Sequence, residues 1–129
     1  MKRTIAASAL VFASLTGFAH ADRDTQVNLR VTEVTVPMMS AATRMGEPTE
    51  QMANDLIAIR GDMLVVFGQI YDMGALLKER GEENPADKMR AHMTETIKRE
   101  EWAKPLNAAE RAAVIEAMVH VAVDGYRGA

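Results

Sequence analysis

No cysteine occurs anywhere in the 129 residues. Thiol catalysis, disulfide exchange and a disulfide framework are therefore excluded, and a folded domain must be held by packing alone. Aromatic residues are scarce, with one Trp, two Tyr and three Phe. Basic residues do not outnumber acidic ones, and the formal net charge is −3, so nothing resembles the electrostatic footprint of a nucleic-acid binder. The chain has no phosphate-binding glycine loop, no His-Glu-x-x-His pair and no cysteine-based haem attachment site. After residue 21 one serine remains, Ser40, and no nucleophile motif surrounds it. Adjacent acids such as Glu82-Glu83 and Glu100-Glu101 diverge by about 100° on a helix and do not converge on one bond. These absences point away from an enzyme.

The N-terminus carries a clear pattern. Lys2 and Arg3 precede an uncharged run from Thr4 to Phe18, and Ala19-His20-Ala21 places small residues where a signal peptidase reads. This is the three-part signature of a secretory leader, with cleavage expected between Ala21 and Asp22. The leader holds two of the fifteen basic residues and none of the eighteen acidic ones, so residues 22–129 carry a formal charge of −5. No second run of membrane length follows, because Arg60, Asp62 and Asp72 interrupt the stretch from Leu56 to Leu77. The expectation is a periplasmic or secreted protein whose mature chain is one helical domain and does not insert into a membrane.

Gly46-Glu47-Pro48, Gly81 to Pro85 and Lys104-Pro105 divide that domain into four segments. In the second, Thr49 to Arg80, Met52, Leu56, Ile59, Met63, Val66, Ile70, Met73 and Leu77 recur at steps of four and three, which places them on one helical face. Gly81 suits a C-terminal cap. Gly61, Gly68 and Ala75, seven apart, form a row where another helix could come close, or Gly61 could instead bend or break the helix. The third segment opens with Asn84 as N-cap and Pro85 in first position, and has a thin stripe of Ala86, Met89, Met93 and Ile97. The fourth opens with Asn107 and Glu110 at capping-box spacing, is apolar from Ala112 to Val123 except for Glu116 and His120, and stops at Gly125. The first segment, Thr25 to Met45, is ambiguous. Val27, Leu29 and Val31 alternate like a strand, whereas Val27, Val31, Val34, Met38, Ala41 and Met45 follow a helical period that Pro37 would kink or break. The fold class expected is all-α, a small four-helix up-down bundle with its first segment possibly extended.

Two constellations carry candidate chemistry. Glu116, His120 and Asp124 are four apart on one face of the last helix, a spacing that suits a divalent metal or a pH-sensitive histidine; the same row also reads as the solvent stripe of an apolar helix. Met89, His92 and Met93 are three and four apart and combine two thioethers with an imidazole, which suits copper; the same methionines also read as that helix's core stripe. Haem, the other cofactor that such donors could hold, would need His and Met ligands on facing helices. Trp102, just before the Lys104-Pro105 break, reads as a plug at the bundle end.

Leu106-Asn107-Ala108-Ala109-Glu110-Arg111, leading into an apolar helix, is similar to the Leu-Thr-x-x-Gln helix starts of periplasmic stress chaperones of the Spy type, with Asn107 and Glu110 where that pattern has Thr and Gln. A second copy is lacking, since Pro48-Thr49-Glu50-Gln51 has the threonine without the leucine. In size and class the chain also resembles small exported helical cytochromes and helical immunity proteins. The function expected is non-enzymatic binding of a protein partner, as an inhibitor, immunity protein, adaptor or chaperone, with a copper- or haem-binding bundle as the alternative. The long stripe of the second segment leaves two outcomes: a second copy covers surface that one bundle leaves open, or a helical first segment completes a monomeric bundle.

Overall fold

A computed structural model describes residues 12–128, with side chains from Asp22 onward. Among these residues the chain forms four α-helices and no strand: α1, Phe12–Arg44; α2, Thr49–Glu79; α3, Pro85–Ile97; and α4, Ala108–Gly128. A 3-10 turn, Glu101–Ala103, joins α3 to α4. No helix among the described residues is long and apolar enough to cross a membrane. Residues 1–11 of the expected leader lie outside the described residues, and α1 passes the Ala21–Asp22 junction without a break.

The first segment is therefore helical throughout. Val27, Val31, Val34 and Ala41 are buried on one face, with Met38 partly buried between them. Pro37 lies inside the helix and is itself buried. Its missing N–H costs a bond to the carbonyl one turn back. The apolar face continues on both sides of it, and packing, which supplies most helical stability in a folded protein, keeps the helix running. Both α1 and α2 end in Schellman turns. The Glu47 and Gly46 amides bond to the Ala42 and Thr43 carbonyls, and the Glu82 and Gly81 amides to those of Leu77 and Lys78. Gly46 and Gly81 have φ of +75° and +72°, the left-handed backbone this cap requires. At the start of α3, Pro85 takes the first position, but Asn84 makes no side-chain cap. Its own backbone is left-handed (φ 57°), unlike the extended backbone of a capping residue. The stripe Met89, Met93 and Ile97 is buried as its spacing predicts, with Ala86 partly buried.

The start of α4 is a full capping box. The Glu110 amide donates to Asn107 Oδ1 and the Asn107 amide to Glu110 Oε1, each at 2.8 Å. Glu110 also receives Arg44 from the end of α1 at 2.8 Å, so one buried carboxylate ties two helix ends together. From there α4 packs against each of the other three helices. Val114, Val119 and Val121 are fully enclosed. α4 does not stop at Gly125 but runs on to Gly128, and Gly125 is a point of close approach to α2.

The closest helix approach is between α2 and α4. A Cβ built on Gly74 would overlap the Ala122 carbonyl, and one built on Gly125 would overlap the Tyr71 carbonyl. The row Gly61, Gly68 and Ala75 is not this contact. Gly61 faces open space, and Gly68 lies under the Arg23 guanidinium, 3.0 Å from where its Cβ would be. Arg23 pins the α1 side of the bundle to α2 through Asp72 (2.9 and 3.0 Å) and the Gly68 carbonyl (3.0 Å).

The two kinds of glycine respond differently to a methyl group. Gly74→Ala and Gly125→Ala each drive a Cβ into backbone and lose ~1–3 kcal/mol or more. Gly61→Ala gains ~0.4–1 kcal/mol, because alanine restricts the unfolded chain and suits a helix. Thermal unfolding of the three variants gives the order Gly61→Ala above wild type, and wild type well above the other two.

Candidate binding clefts

Helices α2 and α4 run in the same direction. The start of α2 and the residues leading into α4 line one cavity, and at the far ends the Tyr126 hydroxyl donates to the Glu82 carbonyl at 2.6 Å. In an up-down bundle they form the diagonal pair, and here the glycines bring that pair together. α3 then rests on α4 and has no comparable contact with α2. The α2 stripe is consequently split. Met63 and Ile70 are buried, while Val66 and Met73 stay 37 % exposed at the open edge. Phe67, Tyr71 and Gly74, on the neighbouring face, take the interior instead.

Two apolar clefts follow, each of about 210 Å³. The first lies between the end of α1 and the start of α2, with Met38, Met45, Met52 and Leu56 in its walls. The second lies between α2 and α3 above α4, with Met63, Met73, Met93 and Met118 in its walls. Trp102, on the 3-10 turn, lines both and is partly buried. Its indole N–H points to Glu100 at 3.4 Å. Seven of the ten methionines thus border the two clefts. Glu47 and Asp55 stand together in the first cleft. Desolvation pushes the Glu47 carboxyl above its ordinary range, and a hydrogen bond with Asp55 and the charge of Asp55 act in the same direction.

The structure separates the residues of both sequence constellations. Glu116 is held by Arg90 of α3 at 2.7 and 3.0 Å, and Asp124 by Arg30 of α1 at 2.7 and 3.1 Å. His120 Nδ1 lies 3.3 Å from Glu33, which Arg30 also holds at 2.7 Å. Each member of the row meets its own partner from a flanking helix. Among the described residues no group of three or more His, Cys, Asp or Glu side chains could hold a metal ion. Of the other trio, Met93 and His92 line the second cleft, whereas Met89, 3 % exposed, sits in the core away from it. Met63, Met73 and Met118 are the cleft's further thioethers, and helix periodicity along one segment cannot reveal partners from two others. Ser40 stands close enough to the Glu110 carboxylate to help lower its pKa.

Compared with family models, with curated proteins and with solved structures, the chain matches none.

The acids of the site and of the α4 cap give opposite pH signatures. The Asn107 amide, helped by Ser40 and Arg44, holds Glu110 below the usual carboxyl range, and Arg90 does the same for Glu116. Their stabilisation is complete above the unfolded value and disappears as pH falls through the lowered one. Glu47 has a raised value, so its contribution is present at low pH and lost as pH rises through that value. Urea midpoints measured across the acid range should therefore show a flattened acid limb for Glu110→Gln, in which the capping geometry survives without the charge. Glu47→Gln should raise the midpoint at neutral pH and leave the acid limb in place.

Proposed function

We propose that this is an exported, non-enzymatic binding protein that takes an apolar helix of a protein partner into its methionine-lined clefts. The observation that carries this reading is the pair of clefts meeting at Trp102, with seven methionines in their walls. Methionine is unbranched and polarizable, so such a wall adapts to different apolar side chains. A partner helix would lay leucine-like anchors at i, i+3 or i+4 and i+7 along the cleft. The paired acids Glu47 and Asp55 favour a basic residue beside those anchors, because a cation relieves their mutual repulsion. Export rests on the leader signature of Lys2, Arg3, the run Thr4 to Phe18 and Ala19-His20-Ala21. Cleavage there would trim α1 to residues 22–44 and keep Arg23, the residue that fastens it to α2.

Trp102, the single tryptophan, reports directly on both clefts. Titration with a tryptophan-free amphipathic peptide of leucine and lysine should shift its emission to the blue and saturate. Met52→Glu and Met73→Glu should each weaken binding about tenfold or more, equivalent to ~1.4 kcal/mol. A lysine-only peptide should leave the emission unchanged. Light scattering before and after peptide addition separates a second copy from a foreign partner: a dimer closed over the clefts would dissociate as peptide binds. Unchanged Trp102 emission up to millimolar peptide would overturn the reading.

A further inference from the structure

We propose that the second cleft is a soft-metal site that takes one Cu(I) ion between the thioethers of Met73, Met93 and Met118 and the imidazole of His92. Three helices bring these donors to one cavity: Met63 and Met73 from α2, His92 and Met93 from α3, and Met118 from α4. Thioether and neutral imidazole are the soft and borderline ligands that monovalent copper prefers, and a chain without cysteine has no softer donor. Met93 and Met118 lie at the cleft floor, each 5 % exposed, while His92 and Met73 stand at its mouth, open to solvent. An incoming ion therefore meets exchangeable donors first and buried ones next.

The rest of the cleft suits a monovalent cation rather than a divalent one. Val66, Ile70 and Ile97 make much of the remaining wall apolar, with Gln69 and Thr96 its neutral polar residues, a lining that disfavours hydrated hard ions. One carboxylate, Glu100, stands at the end of the cleft beside Trp102 and balances a single positive charge. The Trp102 ring offers a face that attracts cations. A volume of about 210 Å³ has room for an ion and for the flexible thioethers to turn onto it, whereas a porphyrin would need the helices to part. The second cleft also belongs to the peptide-binding reading, but copper ligation rests on the thioether and imidazole donors and not on the apolar wall, so the two fail separately: the first cleft, which contributes none of these ligands, can still take a peptide.

The test is competition for Cu(I) between the mature protein and a bathocuproine chelator under anaerobic conditions. Cu(I) and Ag(I) should each bind with one equivalent and quench Trp102. X-ray absorption of the copper form should show mixed sulfur and nitrogen ligation. Met73→Leu and His92→Gln change residues at the cleft mouth and leave the core intact, and each should lower Cu(I) affinity about tenfold or more. Met89→Leu, a near-isosteric change at a buried methionine outside the cleft, should leave affinity unchanged. The proposal is overturned if the chelator strips copper from wild type as readily as from His92→Gln and Met73→Leu. It is equally overturned if Met89→Leu weakens binding as much as they do. Far-ultraviolet circular dichroism of each variant confirms the helical fold, and Ag(I) quenching of Trp102 in Met93→Leu gives a second readout at the cleft floor.

Discussion

The backbone contact between α2 and α4 at Gly74 and Gly125 sets the shape of this bundle. Each glycine accepts the other helix's carbonyl where a side chain would stand, at Ala122 and at Tyr71. Helices that would be diagonal neighbours are thereby brought together, and α4 becomes the element on which α1, α2 and α3 all rest. α3 is too short, at 13 residues, and too thinly apolar to wrap around both members of that pair. It packs on α4 and leaves an edge open toward α2. The clefts are thus a consequence of the close crossing, and not of cavities left inside a regular four-cornered bundle.

The polar contacts reinforce the same arrangement. Three arginines reach α4 from its flanks: Arg44 to Glu110 and Arg30 to Asp124 from α1, and Arg90 to Glu116 from α3. Being partly exposed, they fix how the outer helices are oriented more than they add to stability. Along α2 the balance is different. Val66 and Met73 remain more than a third exposed although they belong to the apolar stripe, because α3 does not cover them. Ile57 and Val65 are exposed further still, at 73 % and 63 %. Val66 and Met73 thus keep apolar surface open at the second cleft, whereas Ile57 and Val65 line neither cleft.

Local signals were legible in the sequence, and pairwise ones were not. The α3 stripe of Met89, Met93 and Ile97, the Asn107–Glu110 capping box and the Gly81 cap all depend on residues within a few positions of each other, and the structure has each of them. What the sequence left open involves partners far along the chain. The first segment's helical period was legible, but its strand-like alternation and Pro37 left it ambiguous; the buried residues flanking Pro37 hold the helix against α2 and α4. Gly74 carries no local signal beside the more regular row of Gly61, Gly68 and Ala75, because its meaning comes from the close crossing with α4 at Ala122 and Gly125, far along the chain. The row Glu116, His120 and Asp124 is real as a spacing, but Arg90, Glu33 and Arg30 meet its members separately. The abundance of methionine was visible at once, while its convergence on Trp102 depends on how three helices and a 3-10 turn come together.

The central claim is that the methionine-lined clefts, and not the polar row on α4, form the working surface. Carbon-13 labelling of the methionine methyl groups tests it residue by residue. When the leucine–lysine peptide is added, the methyl signals of the cleft methionines, Met73 and Met52 foremost, should move together with one saturation curve. The signal of Met89, buried outside both clefts, should stay in place, as should the ring protons of His120. Stationary cleft methyls with a moving His120 would contradict the account and place the working surface on the α4 row.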